Sequence, residues 1–518
     1  MSTPAATRDR ELPRLVRAMA VVERVGNALP HPFWLFWVLS AILAVVSAGL
    51  AAAGVAVVAP DGEPVAVRNL LSGDGLAMAV SSMIDNFAQF PPMATIVTVI
   101  MGVAVAERSG LLAAAMRAGV ARVPASLVVF AVAFAGTVAH VASAAAYVIL
   151  VPLGGLAFRA VGRSPILGIV VAYTAIASGY DASPVPTPND AIFAGITTAA
   201  ARIVDPAAVV TPVGNWFFNI ASSVVLALVI TLVTRVVLAK RPDLDPDTPD
   251  PHAPDPAVSD DVAGLSLSAA ERTGLRRAGW VLLGGAVLLV AVVAPEWSPL
   301  RGESGSIVES PLVEGIGAVI ALLFGLLGTV FGRAVGTITT AADVPRLMAD
   351  GIRQMAPVLA LFFAIAQFLA YFDWTHVGDV LAVVAADALR TTGVPIPVVF
   401  LMVLAVLTVV NVMVTSGTAM WSIAAPVIVP MLMLVEVPPE TTQALFRIAD
   451  SGSTAITPMS PYFVMALGFL QRYRKDAGIG TLASYTLPLA VAMTAVWTLL
   501  FFAWWALGIP LGPGAPVR

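Results

Sequence analysis

Uncharged apolar runs long enough to cross a lipid bilayer recur along this sequence, and they decide the class of fold before any other feature is read. One extends from Phe33 to Val58 and another from Tyr485 to Leu507 without a charged side chain. A helix needs about 20 such residues to span a hydrocarbon core of about 30 Å. Only 12% of the 518 residues are charged, about half of the ~25% usual in soluble domains, and the mean hydropathy is +0.90. The expectation is an all-α polytopic membrane protein with the lipid bilayer as its solvent. The first 30 residues are too polar, and the apolar run after them too long, for a cleaved signal peptide. The absence of cysteine excludes disulfides, thiolate catalysis and cysteine-ligated metals. The formal net charge of −4 says little, because many acids sit in the Asp/Pro-rich stretch from Arg241 to Asp261, which reads as a solvated linker. No nucleic-acid partner and no cofactor are expected.

Basic residues near span ends set the orientation. Arg8, Arg10, Arg14, Arg17 and Arg24 precede the first span, which places the N-terminus in the cytoplasm. Lys240, Arg241, Arg272, Arg276 and Arg277 flank the linker, and Gln471-Arg472-Tyr473-Arg474-Lys475 marks a third cytoplasmic loop. These anchors predict spans at 33–56, 92–108 and 214–239 in the first half, and at 276–294, 312–333, 355–373 and 484–507 in the second. Two pairs of short apolar arms, 125–139 with 144–158 and 396–412 with 419–435, read as re-entrant hairpins. The first pair has Arg117 and Arg122 before it and Arg159 and Arg163 after it, so both its ends face the cytoplasm.

Two further crossings, 166–203 and 442–470, cannot be continuous helices. The first contains Pro184, Pro186 and Pro188 within Ser178-Gly179-Tyr180-Asp181-Ala182-Ser183-Pro184-Val185-Pro186-Thr187-Pro188-Asn189-Asp190, and proline removes donors and clashes with the preceding turn. The second is interrupted between Ser451 and Pro461. The expected architecture is about nine transmembrane helices plus two re-entrant hairpins in an inverted repeat. Its segments are an N-terminal cytoplasmic stretch 1–32, a first repeat 33–240, a linker 241–272 and a second repeat 273–518. Paired interruptions in two halves point to a transport site at their meeting place, because open backbone at membrane depth survives only inside protein or beside a watery cavity. Ordinary proline kinks in a helical bundle are the plainer alternative.

Ionisable residues inside a membrane are candidates for function. Asp450 lies three residues after Arg447, on one helix face, as a coupling carboxylate beside an arginine for an anionic substrate, or as a structural ion pair. Asp190, with Asn189 beside it and Thr187 before it, is a candidate for ion coupling and equally for a helix cap. Asp181 is a weaker candidate in the same break. The hairpin tips are polar: Ser143 follows His140 in the first, and Asn411, Thr415, Ser416, Thr418 and Trp421 belong to the second. Their hydroxyls, amides and freed carbonyls suit Na+ or a small polar substrate. Trp421 is a stacking platform, a gate or a packing residue, and His140 a proton relay or a structural histidine.

Several runs resemble the p-aminobenzoyl-glutamate transporter (AbgT) family of the ion transporter superfamily. They are Val25-Gly26-Asn27-Ala28-Leu29-Pro30-His31-Pro32-Phe33-Trp34, Gly102 to Leu111, Gln367 to Trp374 and Gln471-Arg472-Tyr473. The resemblance implies a homodimer in the bacterial inner membrane. It also implies ion-coupled movement of p-aminobenzoyl-glutamate or of sulfonamide antimetabolites, both anionic or polar aromatic molecules, driven by Na+ or H+. It places functional positions on Asp190, Asn411, Thr418, Trp421, Pro439, Arg447, Asp450 and Pro458. The first half departs from the family pattern. Ala144-Ala145-Ala146-Tyr147 stands where the family has Ser-Asp before the tyrosine, and Ser178-Gly179-Tyr180-Asp181-Ala182-Ser183-Pro184 where it has Ser-Gly-Gly-Phe-Ser-Ala-Asn. A dicarboxylate carrier of the same architecture is the alternative. An intramembrane enzyme is disfavoured by four histidines, no cysteine and no HExxH motif.

Overall fold

The computed structural model of the chain describes residues 31–58, 64–120, 123–244, 266–302, 305–307 and 310–518. The N-terminal arginines, the run Val25 to Pro30, Arg122 and most of the linker lie outside the described residues. Helix α1 (Pro32–Ala52) is followed by a two-stranded ribbon, β1 (Ala56–Val58) against β2 (Pro64–Ala66), that was not foreseen. Short helices α2 (Gly73–Ser81) and α3 (Met83–Ala88) lead to α4 (Pro92–Arg108) and α5 (Leu111–Val120), which meet at a 61° bend. Hairpin 1 is α6 (Val128–Val138) and α7 (Ala145–Ala160); the first broken helix is α8 (Pro165–Ala177) and α9 (Pro188–Ala201); α10 (Trp216–Val236) closes the half.

The second half opens with α11 (Ala269–Val293), α12 (Ile316–Val335), the 32-residue α13 (Asp343–Trp374) and α14 (Val377–Thr392). Hairpin 2 is α15 (Ile396–Met413) and α16 (Gly417–Met433); the second broken helix is α17 (Pro439–Thr454) and α18 (Pro461–Gln471); α19 (Ile479–Leu507) is last. From α4 in the first half and α13 in the second, the order is the same: a long helix, a shorter one (α5, α14), a hairpin, a broken helix and a last long helix. Among the described residues six helices are long and apolar enough to cross a membrane singly, and the bent pair α4–α5 makes a seventh.

Each hairpin packs on the first arm of its own broken helix, α6 and α7 on α8, α15 and α16 on α17. It also packs on the second arm of the other half's, α7 on α18 and α16 on α9. The broken helices cross in the same way, α8 on α18 and α9 on α17. This exchange of partners is what a two-fold relation between the halves produces. Outside it, α1, α4, α12 and α13 form a scaffold, with α11 laid on α12.

The halves share a face as the charge pattern demands. Arg117, before hairpin 1, pairs with Glu271 at the start of α11 at 2.5 Å. At the linker's other end Asp243 bonds Arg241 at 3.1 Å and accepts from the Tyr485 hydroxyl at 2.8 Å, while Arg474 donates to the same tyrosine oxygen at 2.7 Å. The Arg241 guanidinium, helped by Tyr485, holds the Asp243 carboxyl below the usual carboxylate range. The start of the linker, at Asp243, and the third basic loop, at Arg474, therefore lie side by side.

Small residues bring scaffold helices together, as membrane packing favours. A Cβ on Gly102 would collide with the Ala321 backbone, and one on Gly328 would lie 2.6 Å from the Ala106 nitrogen. Gly102→Val is expected to lower stability by about 1–3 kcal/mol through overpacking. Gly279→Ala, at a helical site with open space around it, should not lower it. Thermal unfolding in detergent compares the two, and equal midpoints would mean that α4 and α12 do not touch here.

Candidate functional site

The first break restarts as a helix because Pro188 occupies the first turn, where proline's fixed φ is an advantage, and Thr187 caps it. The Asp190–Thr187 bonding is reciprocal: the Asp190 backbone N–H donates to Thr187 Oγ1 at 3.3 Å, and Asp190 Oδ2 accepts from the Thr187 N–H at 2.7 Å. The capping reading of Asp190 is therefore present, but only one oxygen serves it. Asp190 Oδ1 faces Arg447 Nη2 of α17 at 2.7 Å, with the two side chains only 4% and 1% exposed. The partner anticipated for Arg447 from its spacing was Asp450; the ion pair instead joins the two halves.

Arg447 has two more partners. Its Nε donates to Asn215 Oδ1 at 3.0 Å, and its Nη1 to the Asp181 carbonyl at 3.4 Å. Asn215, at the cap of α10, also donates to the Glu440 carbonyl at 2.9 Å, and the Gln443 amide bridges Asn215 (3.0 Å) and Thr197 (2.7 Å). The guanidinium is thus held on three sides. That is the condition under which a buried ion pair is tolerated.

Helix α17 runs further than the sequence suggested, to Thr454, so the second break is 455–460 and Asp450 sits one turn inside the helix. The reason lies in side-chain bonds from within the helix and from hairpin 2. Thr454 Oγ1 donates to the Asp450 carbonyl at 2.7 Å, and the Asn411 amide of hairpin 2 donates to that same carbonyl and, at 2.9 Å, to Ser453 Oγ. Carbonyls near the helix end are satisfied by side chains instead of by a further turn. The Asp450 carboxyl lies against the start of α16, where a Cβ on Gly417 would strike it. The Asp181 backbone N–H donates to Ser451 Oγ at 3.3 Å, next to Asp450 in α17, and both Asp181 carboxyl oxygens are buried.

Asp181, Asp190, Asn411, Arg447 and Asp450 are therefore gathered where hairpin 2 meets both breaks. Asn189 is half-buried in the same break as Tyr180. Ser416 caps α16 by accepting from the Ala419 N–H at 3.3 Å; Thr415 and Thr418 beside it are half-buried, as is Pro458 in the second break. Ser143 lies at the tip of hairpin 1 at φ +47°, close in sequence to His140, whose ring meets Tyr180 edge-on at 4.8 Å. Pro439 lies at the far end of α17, about 16 Å along the helix from Asp450 at ~1.5 Å per residue. Trp421 is fully buried, stacked on Phe446 at 4.4 Å, with Nε1 donating to Thr197 Oγ1 at 2.9 Å.

Sequence reasoning missed Asn215, Gln443 and Thr197. Polar amides in otherwise apolar stretches were the available signal, but nothing in their spacing tied them to Arg447. Aromatic contact between the halves was also missed: Tyr147 of hairpin 1 stacks on Tyr462 of α18 at 4.0 Å with planes 3° apart.

Residues 17–518 match the model of the AbgT transporter family. The p-aminobenzoyl-glutamate transport protein of Escherichia coli (strain K12) is 37% identical over 495 residues, which are 95% of this chain and 95% of that protein. The YdaH transporter of Alcanivorax borkumensis superimposes with a TM-score of 0.86 at 36% identity, covering 93% of this chain and 100% of its own. MtrF of Neisseria gonorrhoeae, described as illuminating a class of antimetabolite efflux pumps, gives a TM-score of 0.90 at 36% identity, covering 96% and 100%. Sequence, fold and a charged centre shared between two halves agree: the chain belongs to the AbgT family, as a multi-pass membrane transporter and not an enzyme.

Proposed function

We propose that this transporter is a secondary carrier of p-aminobenzoyl-glutamate-like folate catabolites or sulfonamide antimetabolites, coupled to a Na+ or proton gradient. The observation that carries the reading is the buried Asp190–Arg447 pair, which joins the two broken helices at 2.7 Å. A substrate carboxylate or sulfonyl group approaching Arg447 competes with Asp190 for it, and so acts on both halves at once. Ser143, Asn411, Thr415, Ser416, Thr418 and Pro458 surround the substrate, Trp421 backs it through Phe446, and Pro439 starts the helix that presents Arg447. Asp181, Asn189, Asp190 and Asp450 form the ion-coupling side. The relatives' names, one a p-aminobenzoyl-glutamate transport protein and one linked to antimetabolite efflux, support this class of cargo.

In this reading the chain crosses a bacterial inner membrane nine times, with the N-terminus and the 241–272 linker in the cytoplasm, and works as a homodimer. The purified protein in liposomes should take up labelled p-aminobenzoyl-glutamate, or a sulfonamide, when a Na+ or proton gradient is imposed. Uptake that continues unchanged after both gradients are collapsed would reject secondary coupling.

A further inference from the structure

Asn215 belongs to neither break, yet it holds the guanidinium at the centre of the site. It immediately precedes α10 and is 1% exposed. Its Oδ1 accepts from Arg447 Nε at 3.0 Å, and its Nδ2 donates to the Glu440 carbonyl at 2.9 Å. The two contacts fix the sense of the amide, since only an oxygen can accept the Nε–H and only an N–H can meet a carbonyl. The backbone around it is fixed as well. The Phe218 N–H donates to the Leu511 carbonyl at 3.1 Å, and a Cβ on Gly512 would collide with the Val213 carbonyl. Thr441, next to Glu440, donates from Oγ1 to the Val517 carbonyl at 2.8 Å. Residues 511–517 therefore press on both the turn that carries Asn215 and the first turn of α17.

A guanidinium takes a bidentate anion either along the edge of Nε and Nη2 or across the end between Nη1 and Nη2. In this site the edge is full. Asn215 holds Nε, and Asp190 holds Nη2 at 2.7 Å. Nη1 has the Asp181 carbonyl at 3.4 Å, the longest of the three bonds, so the end is the weakly held side. The two edge partners differ in kind, for Asp190 is a carboxylate and Asn215 a neutral amide of the same shape. A second carboxylate on that edge would satisfy Arg447 twice over and repel an incoming anion. The amide orients the arginine and adds no charge that competes with the cargo.

We propose that Asn215 is a positioning residue that sets the site's preference for an anionic cargo. It occupies the Nε–H of Arg447 with an uncharged oxygen, directs a cargo carboxylate to the Nη1 end, and keeps a second protein carboxylate off the guanidinium. The proposal rests on the reading of Arg447 as the cargo-binding arginine.

Two measurements on the full-length protein test it. The first is p-aminobenzoyl-glutamate binding to Asn215→Asp and Asn215→Leu. The aspartate variant keeps the shape and the oxygen on Nε but adds a charge, whereas the leucine variant removes the oxygen and adds none. Both lose the bond to the Glu440 carbonyl, so that loss cancels between them. Asn215→Asp should weaken binding roughly 10–100-fold, the range for one hydrogen bond to a charged group, and more than Asn215→Leu does. A loss in the leucine variant as large or larger would make Asn215 a strut and overturn the proposal. The second measurement needs no cargo. Asn215→Leu should lower the thermal unfolding midpoint of the parent, and by roughly half as much or less in the Asp190→Leu/Arg447→Met background, because residues in contact are not additive. Equal drops in the two backgrounds would show that the amide does not act on Arg447. Asn215→Ser, smaller and uncharged, replaces the leucine variant if that does not fold. A parent protein that binds no p-aminobenzoyl-glutamate would defeat the cargo reading, while the unfolding comparison would still decide whether Asn215 holds Arg447.

Discussion

Asp190→Asn is expected to destabilise the solubilised protein by about 3–5 kcal/mol, the effect of leaving one member of a buried ion pair without its partner, and to abolish transport. Asparagine can still accept from the Thr187 N–H, so the cap of α9 survives and the loss falls on Arg447. That guanidinium would keep only Asn215 and a carbonyl at 3.4 Å. Arg447→Met should be as damaging, because it leaves the Asp190 carboxylate alone. The double variant Asp190→Leu with Arg447→Met should regain most of the stability, since apolar replacements of a buried pair are often neutral or better, yet remain inactive. Thermal unfolding in detergent together with liposome uptake reads both properties. Single variants that melt at the parent temperature would show that the pair does not hold the halves together.

Trp421→Ala gives the second large effect, about 3–5 kcal/mol, the usual result of truncating a buried aromatic. Trp421→Phe keeps the stack on Phe446 and loses only the bond to Thr197, about 1 kcal/mol, so it should remain active. Direct stacking on the cargo would give another pattern. Both variants would then melt like the parent, and KM would rise in both.

Much of this architecture could be read from residue order. The hairpin arms and the first break fall within a few residues of their expected limits, because prolines and apolar run lengths act locally. What escaped was long-range or marginal. Arg447 and Asp450 are neighbours by spacing, but a partner from the other half can be chosen only once the arms have exchanged, and Asp190 is that partner. Helix α13 begins at Asp343 and not near 355; its first turns carry Arg346, Asp350 and Arg353, which break the apolar run by which a span is recognised. Helices α5 and α14 are too short or too charged to read as spans, and strands of three residues leave no alternation to detect. Asp450 seemed to border a break because Ser451, Gly452 and Ser453 look like loop residues; side-chain bonds to the carbonyls keep them helical.

The exchange of arms has a consequence for what counts as a unit of this protein. Asp190 and Asp181 lie before the linker, Arg447 and Asp450 after it, so a half folded alone would contain charge without its counterion and a hairpin with half its packing partners absent. The chain behaves as a heterodimer of two related subunits that happen to be covalently joined, with its working centre at their shared boundary. Neither subunit is a smaller transporter.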